Sequence, residues 1–356
     1  MSEWASPESA ELFESFAPTF KGDDRLDRMA GLAEMLLNKG LRFDAARLAQ
    51  MILSESAGPS RATQRARFVL SVDIPRWHFD ILCDDARLEA YERAIRETVK
   101  PGMLVLDIGT GSGILAMMAA RAGAELVVAC EREPALALIA TTIVAHNGMA
   151  DRIRVVCKES SALQPGVDLP RKADCVISEV IAADLLGEGV LDTMAAARRD
   201  LMADDAPTVP RRGTVHVALV REQRHFPEVL DIVAGYDLSP FNTVMKPSYF
   251  CGNIRPDALL SDDAPLFSID LSGRDARHAE QASAPVRVRE TGVAVGILQW
   301  IELDLAPGVS LASGPEALSQ SWGQSFSPLQ TPLPVTAGQT VAIHGWRTSE
   351  HLLLWT

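Results

Sequence analysis

Residues 104–113 read Leu-Val-Leu-Asp-Ile-Gly-Thr-Gly-Ser-Gly, and this stretch decides the fold class of the chain. Its first five residues are apolar except for Asp107, which is typical of a short buried parallel strand. Gly109, Gly111 and Gly113 then favour a tight turn beneath a ligand, and residues 114–124 have the pattern of a helix. This order of strand, glycine loop and helix indicates a nucleotide-type binding site, although a purely structural turn also fits the glycines.

The glycine spacing does not by itself identify the ligand. A dinucleotide-binding loop reads Gly-x-Gly-x-x-Gly, and here Ile114 holds the sixth position. The second predicted strand ends at Glu131, 24 residues after Asp107, where an acid can accept hydrogen bonds from both ribose hydroxyls. An acid at this position also fits NAD, and an exposed strand end is the alternative interpretation. The two acids therefore favour an adenosine-containing cofactor without naming it.

Composition limits the classes of partner. The net charge of −13 argues against a nucleic acid bound through its phosphates. No apolar run reaches the ~18 residues of a membrane span, and the acidic first twenty residues do not resemble a signal peptide, so we expect a cytoplasmic protein with no membrane partner. The five cysteines lack the spacing of metal ligands, which predicts reduced thiols and no metal site.

The 356 residues divide into three predicted parts. Residues 1–70 have apolar residues at helical spacing and form an accessory or dimerisation segment. Strands and helices alternate through residues 71–205, which predicts an α/β domain with a parallel sheet. Residues 206–356 are rich in proline and short alternating strands, which predicts an antiparallel, barrel-like β domain, and residues 236–256 interrupt its strands as a candidate arm.

Two glutamates follow the fourth predicted strand of the α/β domain. Glu179 comes directly after the strand that ends at Ser178, and Glu188 lies nine residues later on a mostly apolar loop. Carboxyl ends of parallel strands face the ligand crevice in this architecture. Two carboxylates in a partly dry crevice repel each other unless a cation lies between them, and a planar guanidinium suits that position. Two unrelated surface acids are the alternative.

These motifs together resemble the protein arginine methyltransferases, and most of all their monomethylating type III branch. The resemblance rests on residues 107–113, on Glu131 and on residues 178–191, and it extends from about Trp77 to Thr356. It implies S-adenosyl-L-methionine as the cofactor. It also implies a Rossmann-like class I methyltransferase domain followed by a β-barrel-like domain, and a homodimer closed by an arm.

The resemblance further implies roles for individual residues. Glu179 and Glu188 would be the catalytic residues that clamp the guanidinium, and Trp322 would also contact the substrate. The cofactor would be held by Arg87 at its methionine carboxylate, by Glu131 at its ribose, by Ser160 (or Ser161) near its adenine, and by the loop residues Asp107, Gly109, Gly111 and Gly113.

Two departures from the family pattern affect the expected function. The barrel loop that the family writes Thr-His-Trp reads Gln320-Ser321-Trp322, so Ser321 replaces a histidine that helps to shape the acceptor pocket. The monomethylating relatives carry two tandem modules, whereas this chain has one, so a homodimer would have to supply the second half. We expect ω-N-methylation of arginine, most simply monomethylation, with either a protein or peptide arginine or free L-arginine as the acceptor.

Two other functions fit the same sequence. A methyltransferase for another small amine or guanidine metabolite would use the same loop and acids. A non-catalytic scaffold that binds partners through the helical N-terminal segment is the alternative from a different class.

Overall fold

The computed structural model describes residues 5–221, 230–274, 279–319 and 321–356. Gln320 of the barrel loop lies outside the described residues. Within these ranges, no helix combines the length and the apolar character needed to span a bilayer.

Four α-helices make up the N-terminal part: α1 (Pro7–Phe16), α2 (Arg25–Asn38), α3 (Arg42–Glu55) and α4 (Arg61–Ser71). They bury a core of their own, which includes Leu36 and Ile52. The helical spacing of apolar residues in residues 1–70 predicted helices here, and the structure has them. Ser6 and Ser60 are the N-caps of α1 and α4, and their side chains accept hydrogen bonds from backbone N–H groups three residues later.

The central part is a parallel five-stranded sheet with helices on its faces. Its strands are ordered β3-β2-β1-β4-β5. Along the chain the elements are α5 (Trp77–Leu82), α6 (Asp85–Thr98), β1 (Leu104–Ile108), α7 (Ile114–Ala122), β2 (Leu126–Glu131), α8 (Pro134–His146), β3 (Ile153–Cys157), β4 (Cys175–Ser178), α9 (Val190–Asp200) and β5 (Thr208–Val209). This is the Rossmann-like core that the glycine loop predicted.

The register of the central strands gathers the predicted site residues at one edge of the sheet. Ile108, the last residue of β1, lies opposite Cys130 of β2 and Ser178 of β4. The glycine loop, Glu131 and Glu179 therefore all follow at the carboxyl ends of three neighbouring strands, where ligands bind in this architecture.

The C-terminal part consists of antiparallel strands in two main sheets. A six-stranded sheet has the order β10-β6-β12-β14-β9, with β13 paired to β12, and a three-stranded sheet has the order β11-β15-β16. The strands are β6 (Arg212–Val220), β7 (Ile232–Val233), β8 (Tyr236–Asp237), β9 (Tyr249–Gly252), β10 (Ala264–Asp270), β11 (Glu280–Arg287), β12 (Gly292–Ala306), β13 (Val309–Ala312), β14 (Gln324–Val335), β15 (Thr340–Arg347) and β16 (Leu352–Trp355). The antiparallel prediction is confirmed, and the strands pair as separate sheets.

The candidate arm at residues 236–256 has two different halves. The first half begins with β8, which pairs with β7 just before the arm, and continues as a 3₁₀-helix at Ser239–Val244; this half carries exposed apolar side chains such as Tyr236 and Phe241. Strand β9 then returns to pair with β14 at the edge of the six-stranded sheet. Most buried residues of the β-rich part share one core with the parallel sheet, and a second, smaller cluster includes Ile254, Trp300 and Phe326.

Candidate active site

The glycine loop joins β1 to α7 and exposes its backbone to the crevice. Gly109 and Gly111 have φ values of +75° and +55°, which favour glycine. A Cβ at Gly109 would lie 2.8 Å from Cγ2 of Val180, whereas a Cβ at Gly111 would meet no atom within 4 Å. Gly109 thus allows the loop to pass close under the segment after β4, and the open space at Gly111 leaves room for a ligand against the backbone.

Two acids flank the loop in different environments. Asp107 is buried and accepts a hydrogen bond from the Thr110 hydroxyl, and its burial raises the pKa of its carboxyl to about 7. Glu131 accepts hydrogen bonds from the backbone N–H of Gly111 at 3.0 Å and of Glu133 at 2.9 Å. Each carboxylate oxygen has two lone pairs, so Glu131 retains acceptor sites for two ribose hydroxyls.

Arg87 and Glu179 form a buried bidentate ion pair. The Nε of Arg87 donates to Oε1 of Glu179 at 2.5 Å, and Nη2 donates to Oε2. Nη1 donates to the Ile81 carbonyl at 2.9 Å, so three of the five guanidinium N–H donors are used and two remain for another carboxylate. Burial raises the pKa of Glu179, and the Arg87 guanidinium opposes that rise.

Glu188 is the second acid of the predicted clamp, and it reaches solvent. It has no hydrogen-bond or ion-pair partner among the described residues. Partial burial of its carboxyl, followed by repulsion from Glu179, raises the pKa of Glu188, while Arg132 opposes the rise. The structure therefore brings the two glutamates within electrostatic reach of each other, with Glu179 neutralised by Arg87 and Glu188 unpaired.

The loop that carries both glutamates is stabilised by hydrogen bonds between its own residues. Asp184 accepts hydrogen bonds from the backbone N–H groups of Leu186 and Gly187 at 3.1 and 2.8 Å. Leu185 is fully buried and has a φ of +75°, a conformation that is strained for a leucine. Such strain persists only where the surroundings fix the backbone, which is common at functional loops.

Trp322 contacts this loop from the β-rich part. Its indole is buried, and Nε1 donates to the Ile181 carbonyl at 3.1 Å. The structure thus gives Trp322 a contact that positions the loop, and the predicted contact with the substrate stays a prediction.

Asp84 links the barrel loop to the helix that carries Arg87. Its Oδ2 accepts from the Ser319 hydroxyl at 2.8 Å, the Ser321 hydroxyl at 2.6 Å and the Ser321 N–H at 3.0 Å. Its Oδ1 caps α6 by accepting from the Arg87 N–H at 3.0 Å. Ser321, which replaces the family histidine, is therefore attached to the site through Asp84.

Sequence reasoning missed Asp84 and gave Ser160 a role that the structure leaves open. Asp84 could have been found as an N-cap three residues before Arg87, because an aspartate there is a helix-start signal. Ser160 begins a short 3₁₀-helix after β3 and is partly exposed, at the edge of the sheet that also carries Glu131.

The residues present fit a cofactor of the S-adenosylmethionine type. The open backbone at Gly111 can take the nucleoside, Glu131 keeps free lone pairs for ribose hydroxyls, and Arg87 keeps two N–H donors for a carboxylate. The nucleoside, its ribose hydroxyls and the methionine carboxylate of such a cofactor can thus each contact a complementary group of this chain.

The chain is similar to known methyltransferases. A family model described as ribosomal protein L11 methyltransferase (PrmA) matches residues 87–197. An arginine N(omega)-methyltransferase of Streptomyces achromogenes subsp. streptozoticus is 37% identical over 282 residues, which are 77% of this chain and 77% of that protein. Protein arginine N-methyltransferase 7 of Anopheles gambiae is 41% identical over 168 residues, 45% of this chain, but the match spans only 24% of that longer protein.

Solved structures show the same architecture. The Trypanosoma brucei PRMT1 enzyme–prozyme heterotetrameric complex with AdoHcy aligns with a TM-score of 0.70 at 25% identity, covering 77% of this chain and 88% of that one. Arabidopsis thaliana protein arginine methyltransferase 10 shares the fold, with a TM-score of 0.63 at 22% identity over 75% of this chain and 86% of that one. On these similarities and on its fold, the chain belongs to the arginine methyltransferase family and is an S-adenosylmethionine-dependent enzyme.

Proposed function

We propose that this enzyme transfers one methyl group to a terminal guanidino nitrogen of free L-arginine. The observation that carries the proposal is the unpaired Glu188 carboxylate beside the Arg87–Glu179 ion pair, at the edge of the sheet that carries the glycine loop. Monomethylation is supported by the resemblance to the type III branch.

The charges of this cluster favour a monovalent cation as the acceptor. Arg87 contributes one positive charge, and Glu179 and Glu188 contribute two negative charges when both are ionised. A guanidinium would neutralise the remaining negative charge and could donate planar, paired hydrogen bonds to Glu188. It could also use the lone pairs that Arg87 leaves free on Glu179, because a carboxylate has about four acceptor sites.

The residues of this chain would act mainly by orientation and by charge. Bound S-adenosylmethionine supplies an activated methyl group on its sulfonium sulfur. Glu179 and Glu188 would hold the guanidinium so that one terminal nitrogen faces that methyl group, and positioning of this kind can contribute up to ~7–11 kcal/mol. Their negative charge would draw the positive charge of the guanidinium toward the nitrogens they contact, which leaves the attacking nitrogen more nucleophilic. The proton released by the product can pass to water.

The share of each relative's length that this chain matches favours free arginine as the acceptor. The Streptomyces protein, whose name gives arginine as its substrate, matches this chain over 77% of the length of each. The chain spans only 24% and 39% of the protein arginine N-methyltransferase 7 proteins of Anopheles gambiae and Aedes aegypti. A protein or peptide arginine is the second candidate, because the Anopheles protein has the higher identity, 41%, over the segment it shares.

One assay separates the acceptors. The enzyme is incubated with S-adenosylmethionine and, in parallel, with L-arginine, agmatine or an Arg-Gly peptide, and the products are measured by mass spectrometry. We expect L-arginine to gain the mass of one methyl group with the highest kcat/KM. A higher kcat/KM for the peptide would show that the acceptor is an arginine in a protein. Preference for agmatine would indicate another guanidine metabolite, and a second methyl group would contradict monomethylation.

We also propose that the enzyme is a homodimer joined through the exposed half of the arm. Apolar side chains there are largely open to solvent, with exposed fractions of 73% for Tyr236, 66% for Phe241 and 70% for Val244. A cluster of this kind usually marks an interaction surface. A homodimer would place a second copy against these side chains, and the Trypanosoma relative is described as a heterotetramer.

The three-part division stays part of this proposal, with residues 1–70 accessory, residues 71–205 binding the cofactor and residues 206–356 contributing the barrel loop. Cytoplasmic location is also proposed, and the five cysteines, which are unpaired thiols, support it.

A further inference from the structure

A continuous series of contacts leads from the N-terminal helices to the predicted ribose-binding acid. Arg42 is the first residue of α3, and its Nη1 lies 2.9 Å from Oδ2 of Asp73 and 3.5 Å from Oε2 of Glu133. Asp73 lies two residues after α4, in the segment that leads out of the N-terminal helices, and Glu133 belongs to the methyltransferase part.

Glu133 in turn touches the residue that is expected to hold the cofactor. Its side chain caps α8 by accepting from the Ala135 N–H at 3.5 Å, and its backbone N–H donates to Oε1 of Glu131 at 2.9 Å. Oε2 of Glu131 accepts from Gly111 of the glycine loop. The position of the Glu133 backbone therefore sets the orientation of the Glu131 carboxylate.

The local charges give Arg42 a specific effect on Glu133. Burial raises the pKa of the Glu133 carboxyl, Arg42 opposes that rise, and Asp73 and Glu131 add to it. Without Arg42, Glu133 would face the carboxylates of Asp73 and Glu131. Repulsion among them would displace the Glu133 side chain from its capping position.

We propose that Arg42 is a positioning residue for the cofactor, which holds Glu133 and through it Glu131, so that the N-terminal helices adjust the affinity of the enzyme for S-adenosylmethionine. Helix α3 packs against α8, which Glu133 begins, and a groove of about 660 Å³ lined by Arg42, Asp73 and Glu133 separates the two parts beside this contact. Movement of the N-terminal helices at this groove would thus shift Glu133 and change the orientation of the Glu131 carboxylate.

Arg42→Ala tests this coupling, and Arg25→Ala is a matched control. Arg25 pairs with Glu55 inside the N-terminal part, and its side chain is 44% exposed, close to the 48% of Arg42. We expect Arg42→Ala to weaken the binding of S-adenosylhomocysteine in calorimetry by about two- to fivefold, the range open to a partly exposed ion pair. The KM for S-adenosylmethionine should rise by the same factor with kcat at saturation unchanged, and Arg42→Lys should restore most of the affinity.

A double variant separates coupling from a general loss of stability. Glu133→Gln keeps an oxygen for the cap but removes the charge, so Arg42→Ala should have little further effect on affinity in that background. Equal affinities for the wild type and Arg42→Ala, or equal losses in Arg42→Ala and Arg25→Ala, would overturn the proposal. Because S-adenosylhomocysteine binding needs no acceptor, these outcomes are independent of whether L-arginine is the substrate.

Discussion

Arg87 and Glu179 lie 92 residues apart in the chain and meet in a buried bidentate ion pair. Both side chains are less than a tenth exposed, so each charge depends on the other for compensation. The pair connects the residue predicted to hold the cofactor carboxylate with one of the two residues predicted to hold the acceptor. With these predicted roles, cofactor and acceptor binding would share one electrostatic contact, and the two glutamates would act differently.

Glutamine substitutions should separate the two glutamates. Glu188→Gln should lower kcat/KM by about 10²–10³-fold, since it removes a charge aimed at the acceptor, while the melting temperature and S-adenosylhomocysteine affinity stay near wild type. Glu179→Gln should lose turnover to at least the same extent. It should also lower stability, because it leaves Arg87 buried without its counter-charge, a loss that typically costs about 3–5 kcal/mol.

Steady-state kinetics, calorimetry and thermal unfolding of both variants check this difference. Normal turnover of Glu188→Gln would remove Glu188 from the clamp. Equal stability of the two variants would mean that the Arg87–Glu179 pair is not maintained in solution.

Substitution of Asp84 should lower stability and kcat/KM more than substitution of Ser321, one of the serines that it binds. Asp84→Asn keeps one oxygen, which can still cap the helix that carries Arg87, but its amide nitrogen then faces the Ser321 N–H as a second donor. We expect a stability loss of about 1–3 kcal/mol with a clear fall in kcat/KM. Ser321→Ala removes one hydroxyl and leaves the backbone contact, so its loss should be within about 1 kcal/mol. Chemical denaturation and kinetics of the two variants test this order, and the reverse order would contradict the role given to Asp84.

The sequence predicted what depends on local pattern. The strand at 104–108, the strand that ends at Glu131 and the helix that begins at Ile114 follow from apolar periodicity and the glycine loop, and the structure has them at these positions. Contacts over long sequence separations were not predictable from such patterns. Asp84 and Ser321, for example, are 237 residues apart, and only the packing of the β-rich part on the α/β part brings them together. The sequence marked Ser321 as a change in the acceptor pocket, and the structure adds that its hydroxyl donates to Asp84.

Trp322→Phe should loosen the loop that carries both glutamates. The substitution keeps most of the buried ring but leaves the Ile181 carbonyl without its indole donor. Losing one such hydrogen bond costs about 0.5–1.5 kcal/mol, so kcat/KM for the acceptor should fall by about three- to tenfold. S-adenosylhomocysteine affinity should change little. Trp355→Phe is the control, since Trp355 is 39% exposed at the end of β16, and an equal effect of both substitutions would argue against positioning by Trp322.

Phe241→Asp should dissociate the proposed homodimer. A charge in the exposed apolar half of the arm cannot be buried against a second copy without a large desolvation cost. Light scattering coupled to size exclusion should then give the mass of one chain for this variant and of two chains for the wild type. Val167→Asp is the control, because Val167 is equally exposed, 68% against 66%, but lies outside the arm. A monomeric wild type, or a Phe241→Asp variant that stays dimeric, would remove the arm from the proposal.

Asp107 should make the stability of the enzyme fall as pH rises from acid to neutral. Burial raises the pKa of its carboxyl to about 7 in the folded state, against 3.8 for the ordinary group. The folded state therefore binds this proton more tightly than the unfolded state, and the free energy of unfolding decreases between about pH 4 and pH 7. Between pH 5 and pH 8 the contribution of Asp107 is about 2–3 kcal/mol, since each pKa unit corresponds to about 1.4 kcal/mol.

Asp107→Asn isolates this contribution. Asparagine has no titrating group but keeps an oxygen for the Thr110 hydroxyl, so the variant should lose less stability than the wild type between pH 5 and pH 8. Glu188, whose pKa is also raised, does not interact with Asp107, so its titration is the same in both proteins and cancels in the difference. Denaturant unfolding of both proteins without cofactor, at pH 5 and at pH 8, measures this difference in stability loss. If the two proteins lose equal stability over this interval, Asp107 is already ionised at pH 5, and its burial must be offset by contacts stronger than that of Thr110.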